Sequence, residues 1–340
     1  MPIMKLVYLF ILTGLYNSYG QRSDFLEIDF KKADSVALSH KGASLKNLPL
    51  LTYNLTGNFT TDVEKFRAIY TWICTNIEND YTAYLRTSNK RKKLSDDREE
   101  FLKWNHSFTP KVFEKLLTTK KTACTGYAYL IKEMANLAGL KSEIVDGHGR
   151  TATLRLQEES SANHSWNTIL LQNKWYVCDA TWSAGLIVVE EDGPRFKSQY
   201  TDGYFLADPQ LFIKNHYPLE AKWSLLEKVP SYTEFITGPV VYKPAFSNNI
   251  IPIAPQQMYL ETVKNKSVSF ELTTPELVNE KELNLLLVHN ETTTKIEPEI
   301  TNNDTGHTLK HRFERAGSFD VHVQYKDAIV ATYVVKVRRK

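Results

Sequence analysis

The sequence predicts an α+β chain in two parts, a mixed helix-and-sheet core followed by a small all-β sandwich. Three observations carry this reading. Apolar residues recur at helical spacing near 61–77 and 125–138, and alternating runs follow as far as residue 181. Pro239, Pro244, Pro252 and Pro255 then crowd into a stretch of little periodicity, which marks a boundary. Beyond it, short alternating runs recur at 267–272, 283–288, 308–313, 318–325 and 329–337, the pattern of a β-sandwich. The expected organisation is a signal at 1–20, the core at 21–240, a linker at 241–256 and an Ig-like sandwich at 257–340.

Bulk properties narrow the function classes. The hydrophobic share of 42% and charged share of 24% are near the globular average, which excludes a disordered chain. A net charge of +3 over 340 residues provides no basic face for a phosphate backbone, so nucleic acid is not an expected partner. Residues 1–20 have the layout of a secretory signal. Lys5 precedes the apolar run at 6–15, and Ser18-Tyr19-Gly20 offers small residues before Gln21. The run is too short to span a bilayer comfortably, so no stable membrane insertion is expected after cleavage. The expected location is outside the cytoplasm, periplasmic or extracellular. Three cysteines, Cys74, Cys124 and Cys178, are an odd number and do not make a disulfide scaffold.

Thr61 with Glu64 reads as a capping box opening a helix whose apolar side carries Phe66, Ile69, Tyr70, Ile73 and Ile77. Cys74 falls inside that pattern as a small core residue. Residues 86–100 mix both charges, which suits a solvated loop or helix face, with a flap over a site as the alternative. The next helix carries Leu130, Ile131, Met134 and Ala135, and Gly139 ends it. Strands are expected at 142–145, 151–157, 164–171 and 175–181. Gln172-Asn173 can turn tightly between the last two.

Cys124 stands at the start of the second helix, where unpaired N–H groups favour a thiolate. If Leu171 pairs with Lys174 across a two-residue turn, Asp179 faces Trp166. His164 then lies on the same face as Asp179 and diagonal to it. Cys178 points the other way and reads as structural. A thiol, an imidazole and an orienting carboxylate are the parts of covalent acyl transfer. No Cys/His cluster has zinc spacing and no phosphate loop is present, so no cofactor or metal is expected. Gly147 fits a turn, and His148 beside it is a lesser candidate for a second base or a metal ligand. Asn163-His164-Ser165 matches a glycosylation acceptor, but a glycan there would block the base.

Ala123-Cys124-Thr125-Gly126-Tyr127-Ala128 resembles the nucleophile segment of the transglutaminase-like superfamily. His164-Ser165-Trp166-Asn167 is similar to that family's histidine strand, and Asp179-Ala180-Thr181-Trp182 to its aspartate strand. Tyr70-Thr71-Trp72-Ile73, Tyr204-Phe205-Leu206, Asp208-Pro209 and His216-Tyr217-Pro218 resemble the branch containing kyphoscoliosis peptidase. The resemblance implies a papain-like core and a Cys124–His164–Asp179 triad acting on an amide of a protein or peptide, the cell envelope being one source. A cysteine peptidase or amidase is the preferred activity. The alternatives are a cross-linking protein-glutamine transamidase and an inactive binding module. The sequence departs from the family at Thr122, where Gly is usual, and at Thr125. The Cys124 N–H is the expected oxyanion donor, with Trp72, Trp104 and Asn105 as candidate helpers. Oligomeric state is open.

Overall fold

The computed structural model describes residues 21–339 apart from 95, 155, 159 and 304, so the expected signal at 1–20 lies outside the described residues. The core begins with helices α1 (Lys31–Ser39), α2 (Leu48–Thr56) and α3 (Asp62–Asn76). Thr61 caps α3, accepting from the Glu64 N–H as the capping pattern requires. Phe66, Ile69, Tyr70, Trp72, Ile73 and Cys74 of α3 are buried. Fully burying a side chain of this size contributes about 1.5–3 kcal/mol, so this face alone commits α3 to the interior. Arg67, also buried, ties α1 to α3 through Asp34 at 2.6 Å.

Strand β1 (Glu78–Asn79) is followed by α4 (Tyr81–Lys93) and α5 (Arg98–Thr119). The charge-dense 86–100 segment is therefore mostly helix. Strand β2 (Lys121–Thr122) pairs in parallel with β1 and delivers the chain into α6 (Cys124–Leu137). Tyr127, Leu130, Ile131, Met134 and Ala135 bury the inner face of α6, and Gly139 follows it at φ +77.

Helix α6 packs on a sheet of order β5-β4-β3-β8, with β3 (Lys141–Gly149), β4 (His164–Leu171), β5 (Lys174–Cys178) and β8 (His216–Pro218). The β4–β5 register is the expected one, with Leu171 opposite Lys174 and Asn167 opposite Cys178. Gln172 and Asn173 both take positive φ, 48 and 61, the mirror-image turn that suits strand twist. The fifth strand is shorter than expected. It stops at Cys178 because the Asp179 side chain accepts from the Thr181 and Trp182 N–H groups and starts helix α7 (Ala180–Ala184). The expected strand at 151–157 does not form among the described residues. Leu154 is exposed, and no neighbouring edge takes up the pairing.

A hairpin of β6 (Gly185–Glu190) and β7 (Gly193–Ser198) follows α7, and helices α8 (Pro209–Phe212) and α9 (Tyr232–Thr237) flank β8. The expected linker carries structure: β9 (Val240–Val241), α10 (Lys243–Asn248) and β10 (Ile251–Ala254). The remaining strands are β11 (Tyr259–Val263), β12 (Ser267–Thr273), β13 (Leu283–His289), β14 (Thr292–Ile296), β15 (Glu299–Asn303), β16 (Gly306–Arg312), β17 (Gly317–Tyr325) and β18 (Ala328–Arg338). They form two sheets, β10-β12-β16-β15 and β11-β18-β17-β13-β14, with β9 on β18. Phe270, Leu285, Leu309, Val321, Val323, Tyr333 and Val335 fill the space between them. Trp166, Tyr204 and Phe212 of the first part join the same buried cluster. Among the described residues, no helix is long and apolar enough to cross a membrane.

Candidate active site

The first turn of α6 presents Cys124 with only 6% of its surface exposed. Ala123 before it is extended and provides no side-chain cap, so the N–H groups that open α6 receive no side-chain acceptor from it. The β2–α6 corner is tight. A Cβ on Gly126 would lie 1.8 Å from the Thr122 Oγ1, so glycine lets β2 cross against the helix. The Asn167 side chain donates to the Ala128 carbonyl at 3.0 Å and fixes α6 over β4. The histidine strand is thereby held against the cysteine helix.

His164 begins β4 and is buried. Its Nε2 lies 2.6 Å from the Asp179 Oδ2. Nδ1 is therefore the ring nitrogen left for the Cys124 thiol, whose ionisation His164 favours. The structure brings Cys124, His164 and Asp179 together in that order.

Asp179 is the most constrained member. Its Oδ1 accepts from the Thr181 N–H at 2.7 Å and the Trp182 N–H at 3.1 Å. Its Oδ2 receives His164 and also His216 Nε2, at 2.9 Å. Its backbone carbonyl accepts from the buried Tyr70 hydroxyl at 2.9 Å, which links α3 to the site. Burial opposes the Asp179 carboxylate, but His164 and His216 overcome that opposition and hold it well below the usual carboxylate range.

His216 was not singled out as a site residue by the sequence. It sits on β8, antiparallel to β3, and stacks on Phe212 at 3.9 Å between ring centroids. Its Nδ1 lies 2.6 Å from the Asn215 side-chain amide. Close approach of β8 is possible because Gly147 on β3 has no side chain; a Cβ there would lie 2.2 Å from the Tyr217 carbonyl oxygen. Burial pushes His216 down to about 4, so the ring stays neutral with one N–H. In the tautomer that carries it on Nε2 the ring donates to Asp179, with the Asn215 amide turned to give its NH2 to Nδ1.

Burial also opposes protonation of His164, yet Asp179 beside it and the Cys124 sulfur raise it to about 10. Burial likewise opposes ionisation of Cys124. The His164 hydrogen bond and charge, with Arg91 and the Ser165 N–H, outweigh it and hold the thiol below its ordinary value. The two shifts together favour a thiolate–imidazolium pair.

Cys74 and Cys178 are buried free thiols that burial pushes well up, so neither is a nucleophile. His148 packs against Tyr232 and takes no part in the triad. The Trp72 Nε1 is spent on the His40 carbonyl. The cavity at Cys124 is lined by Tyr84, Thr87, Ser88 and Arg91 of α4 and by Ala162 and Asn163 opposite, so Trp72, Trp104 and Asn105 are not part of it. His164, Asp179 and His216 also offer donor atoms within 4.8 Å of one another, the grouping that a metal ion would use. Those atoms are hydrogen-bonded to each other and saturate the carboxylate, which is what orients an imidazole.

The His216 donor has a testable consequence. Asp179 with one donor fewer would bind the His164 proton more tightly. His216→Phe is expected to lower turnover about 10–100-fold, the worth of a hydrogen bond to a buried charge, and to move the basic limb of the pH profile upward. His216→Gln, which keeps an N–H donor, is expected to recover part of both. Equal profiles for the two variants would mean that the ring only fills space.

The sequence model of the transglutaminase-like superfamily matches residues 50–180. The chain is 30% identical to human kyphoscoliosis peptidase over 73% of its own length and 34% of that protein's. It is 28% identical to hillarin of Drosophila melanogaster over 63% of its length and 25% of that protein's. It is 25% identical to the LIM and transglutaminase domain protein ltd-1 of Caenorhabditis elegans, over 65% of its length and 29% of the relative's. The chain thus spans only about a third or less of these three relatives.

Proposed function

Residues 50–180 are a domain of the transglutaminase-like superfamily, on the kyphoscoliosis peptidase branch, and from that premise we propose that this chain is a thiol acyl-transfer enzyme acting on amide bonds. The Cys124 sulfur attacks the amide carbonyl and a C–S bond forms. The oxyanion is met by the Cys124 N–H at the start of α6. The C–N bond breaks as the His164 imidazolium gives its proton to the leaving amine. Water then attacks the thioester, losing its proton to His164, and releases the acid. With water as acceptor the enzyme is a cysteine peptidase or amidase; an amine acceptor would make it a transamidase.

The observation that carries this reading is the buried row of Cys124, His164 and Asp179, with His164 raised to about 10 and Cys124 lowered. The reactive ion pair exists where the thiol has ionised and His164 still holds its proton. Alkylation of Cys124 by iodoacetamide is therefore expected to be faster than that of an ordinary thiol below pH 9.0, and to persist as His164 loses its proton near pH 10, because the sulfur stays ionised. In His164→Ala the fast low-pH phase should disappear. A wild-type rate no faster than that of a free thiol at every pH would remove the enzyme reading. The second reading, an inactive binding module, is favoured by one observation: the cavity at Cys124 has a volume of only about 10 Å³. The same labelling separates the two.

Export belongs to the same proposal and rests on the layout of residues 1–20. Secreted material is expected to begin at Gln21 by N-terminal sequencing; retention in the cell with Met1 or Pro2 leading would refute it. A protein or peptide of the extracytoplasmic space is then the substrate.

A further inference from the structure

One face of α4 closes the cleft over the nucleophile. Tyr84, Thr87, Ser88 and Arg91 recur at helical spacing and line the cavity beside Cys124 and Thr125. Three of these offer neutral hydroxyls. Arg91 is the exception. Its Nη2 donates to the Thr125 Oγ1 at 3.3 Å, and its Nε is buried without a hydrogen-bond partner. No ion pair forms between Arg91 and a carboxylate among the described residues.

A guanidinium left this way beside a nucleophile is poorly satisfied. A buried donor without a partner costs about 1–3 kcal/mol, more when the group is charged. The planar fork of arginine suits a carboxylate, which can take two of its N–H groups at once. The rest of α4 has the same sign. Arg86, Lys90, Lys92 and Lys93 are on this helix, and it contains no Asp or Glu. Arg86, Lys90 and Lys93 are exposed, and by helical spacing they lie on the side of α4 away from the cleft, so Arg91 is the cation that this helix turns toward Cys124. The cavity has room for about one water, so any substrate must displace part of this stripe. Of the side chains in that stripe, Arg91 is the one for which an anionic group would be a better partner than the hydroxyl it now holds.

We infer that Arg91 is a specificity-determining residue that pairs with an Asp or Glu side chain flanking the scissile amide, so that the substrate is an acidic peptide segment. The inference rests on the thiol-enzyme reading and deepens it by naming a substrate class. Arg91 reaches Thr125, the residue after the nucleophile, which places the selected side chain next to the reacting carbonyl rather than at a remote subsite.

The test uses the full chain and three peptidyl acyloxymethyl ketones that differ only in the residue bearing the electrophile: Glu, Gln or Lys. Wild type is expected to be labelled by the Glu probe about tenfold or more faster than by the Gln probe, with the Lys probe slowest. Arg91→Gln is expected to erase the Glu-over-Gln ratio, Arg91→Lys to keep part of it, and Arg91→Glu to turn the order toward the Lys probe. Because the ratio within each variant is read, a general effect of Arg91 on the thiolate cancels. Equal labelling by the Glu and Gln probes in wild type, or a ratio that survives in Arg91→Gln, would overturn the inference while leaving Cys124 a reactive nucleophile. Failure of all three probes together with failure of iodoacetamide would instead overturn the thiol-enzyme reading on which the inference rests.

Discussion

Cys124→Ala is expected to lower turnover of any amide that the wild type processes by about 10⁴-fold or more, because the members of a nucleophilic unit act together and little covalent chemistry survives loss of one. His164→Ala should fall to a similar floor, and the double variant should be no worse than either single one. Such non-additivity distinguishes a cooperating pair from two independent contributions. Folding should be spared in Cys124→Ala. The side chain is small, and the hydrogen bonds that set the β4–β5 hairpin and α7 do not involve it. Thermal melting curves of wild type and variant are expected to overlay within about 2 °C. Retained turnover in the variant, with the fold intact, would remove Cys124 from the mechanism.

Asp179→Ala is expected to do the opposite and damage the fold as well as the chemistry. The carboxylate accepts from two imidazoles and two backbone N–H groups in the interior. Its removal leaves those donors without a partner and takes the cap from α7. Breaking a buried charge network of this kind costs about 3–5 kcal/mol. The denaturation midpoint should therefore fall sharply, with a smaller fall for Asp179→Asn, which keeps one oxygen for the helix cap. The pH dependence carries a sign. The folded-state value of Asp179 is depressed, so its contribution is fully present above the ordinary carboxylate value of 3.8 and is lost as pH falls through the folded value. Wild type should lose stability in that acid range, and Asp179→Ala should show a weaker loss there. Parallel acid-stability curves would show that the network contributes little.

Several features that position the site were readable in the chain itself because they are short-range. Cys124 at the head of a helix follows from apolar spacing downstream of it. The contact between His164 and Asp179 follows from a two-residue turn at Gln172-Asn173 and the alternation of side chains along two paired strands. Even there, the local argument missed how the second strand ends. Asp179 leaves the ladder to cap α7, and it is this N-cap position that points both oxygens at their donors.

What the chain itself determined about this protein is the α+β core with its sandwich, the hairpin register and the three groups Cys124, His164 and Asp179. Their spacing is set by helix and strand periods, which any reader of the sequence can count. The partnership of Asp179 with His216 and the position of Arg91 over Cys124 were decided by tertiary structure alone. His216 arrives on β8 because Gly147 lets two strands approach, and Arg91 arrives on a polar, strongly basic helix with no apolar stripe to announce which side faces inward. Such contacts are made by packing between elements distant in sequence, and packing leaves no local period to read.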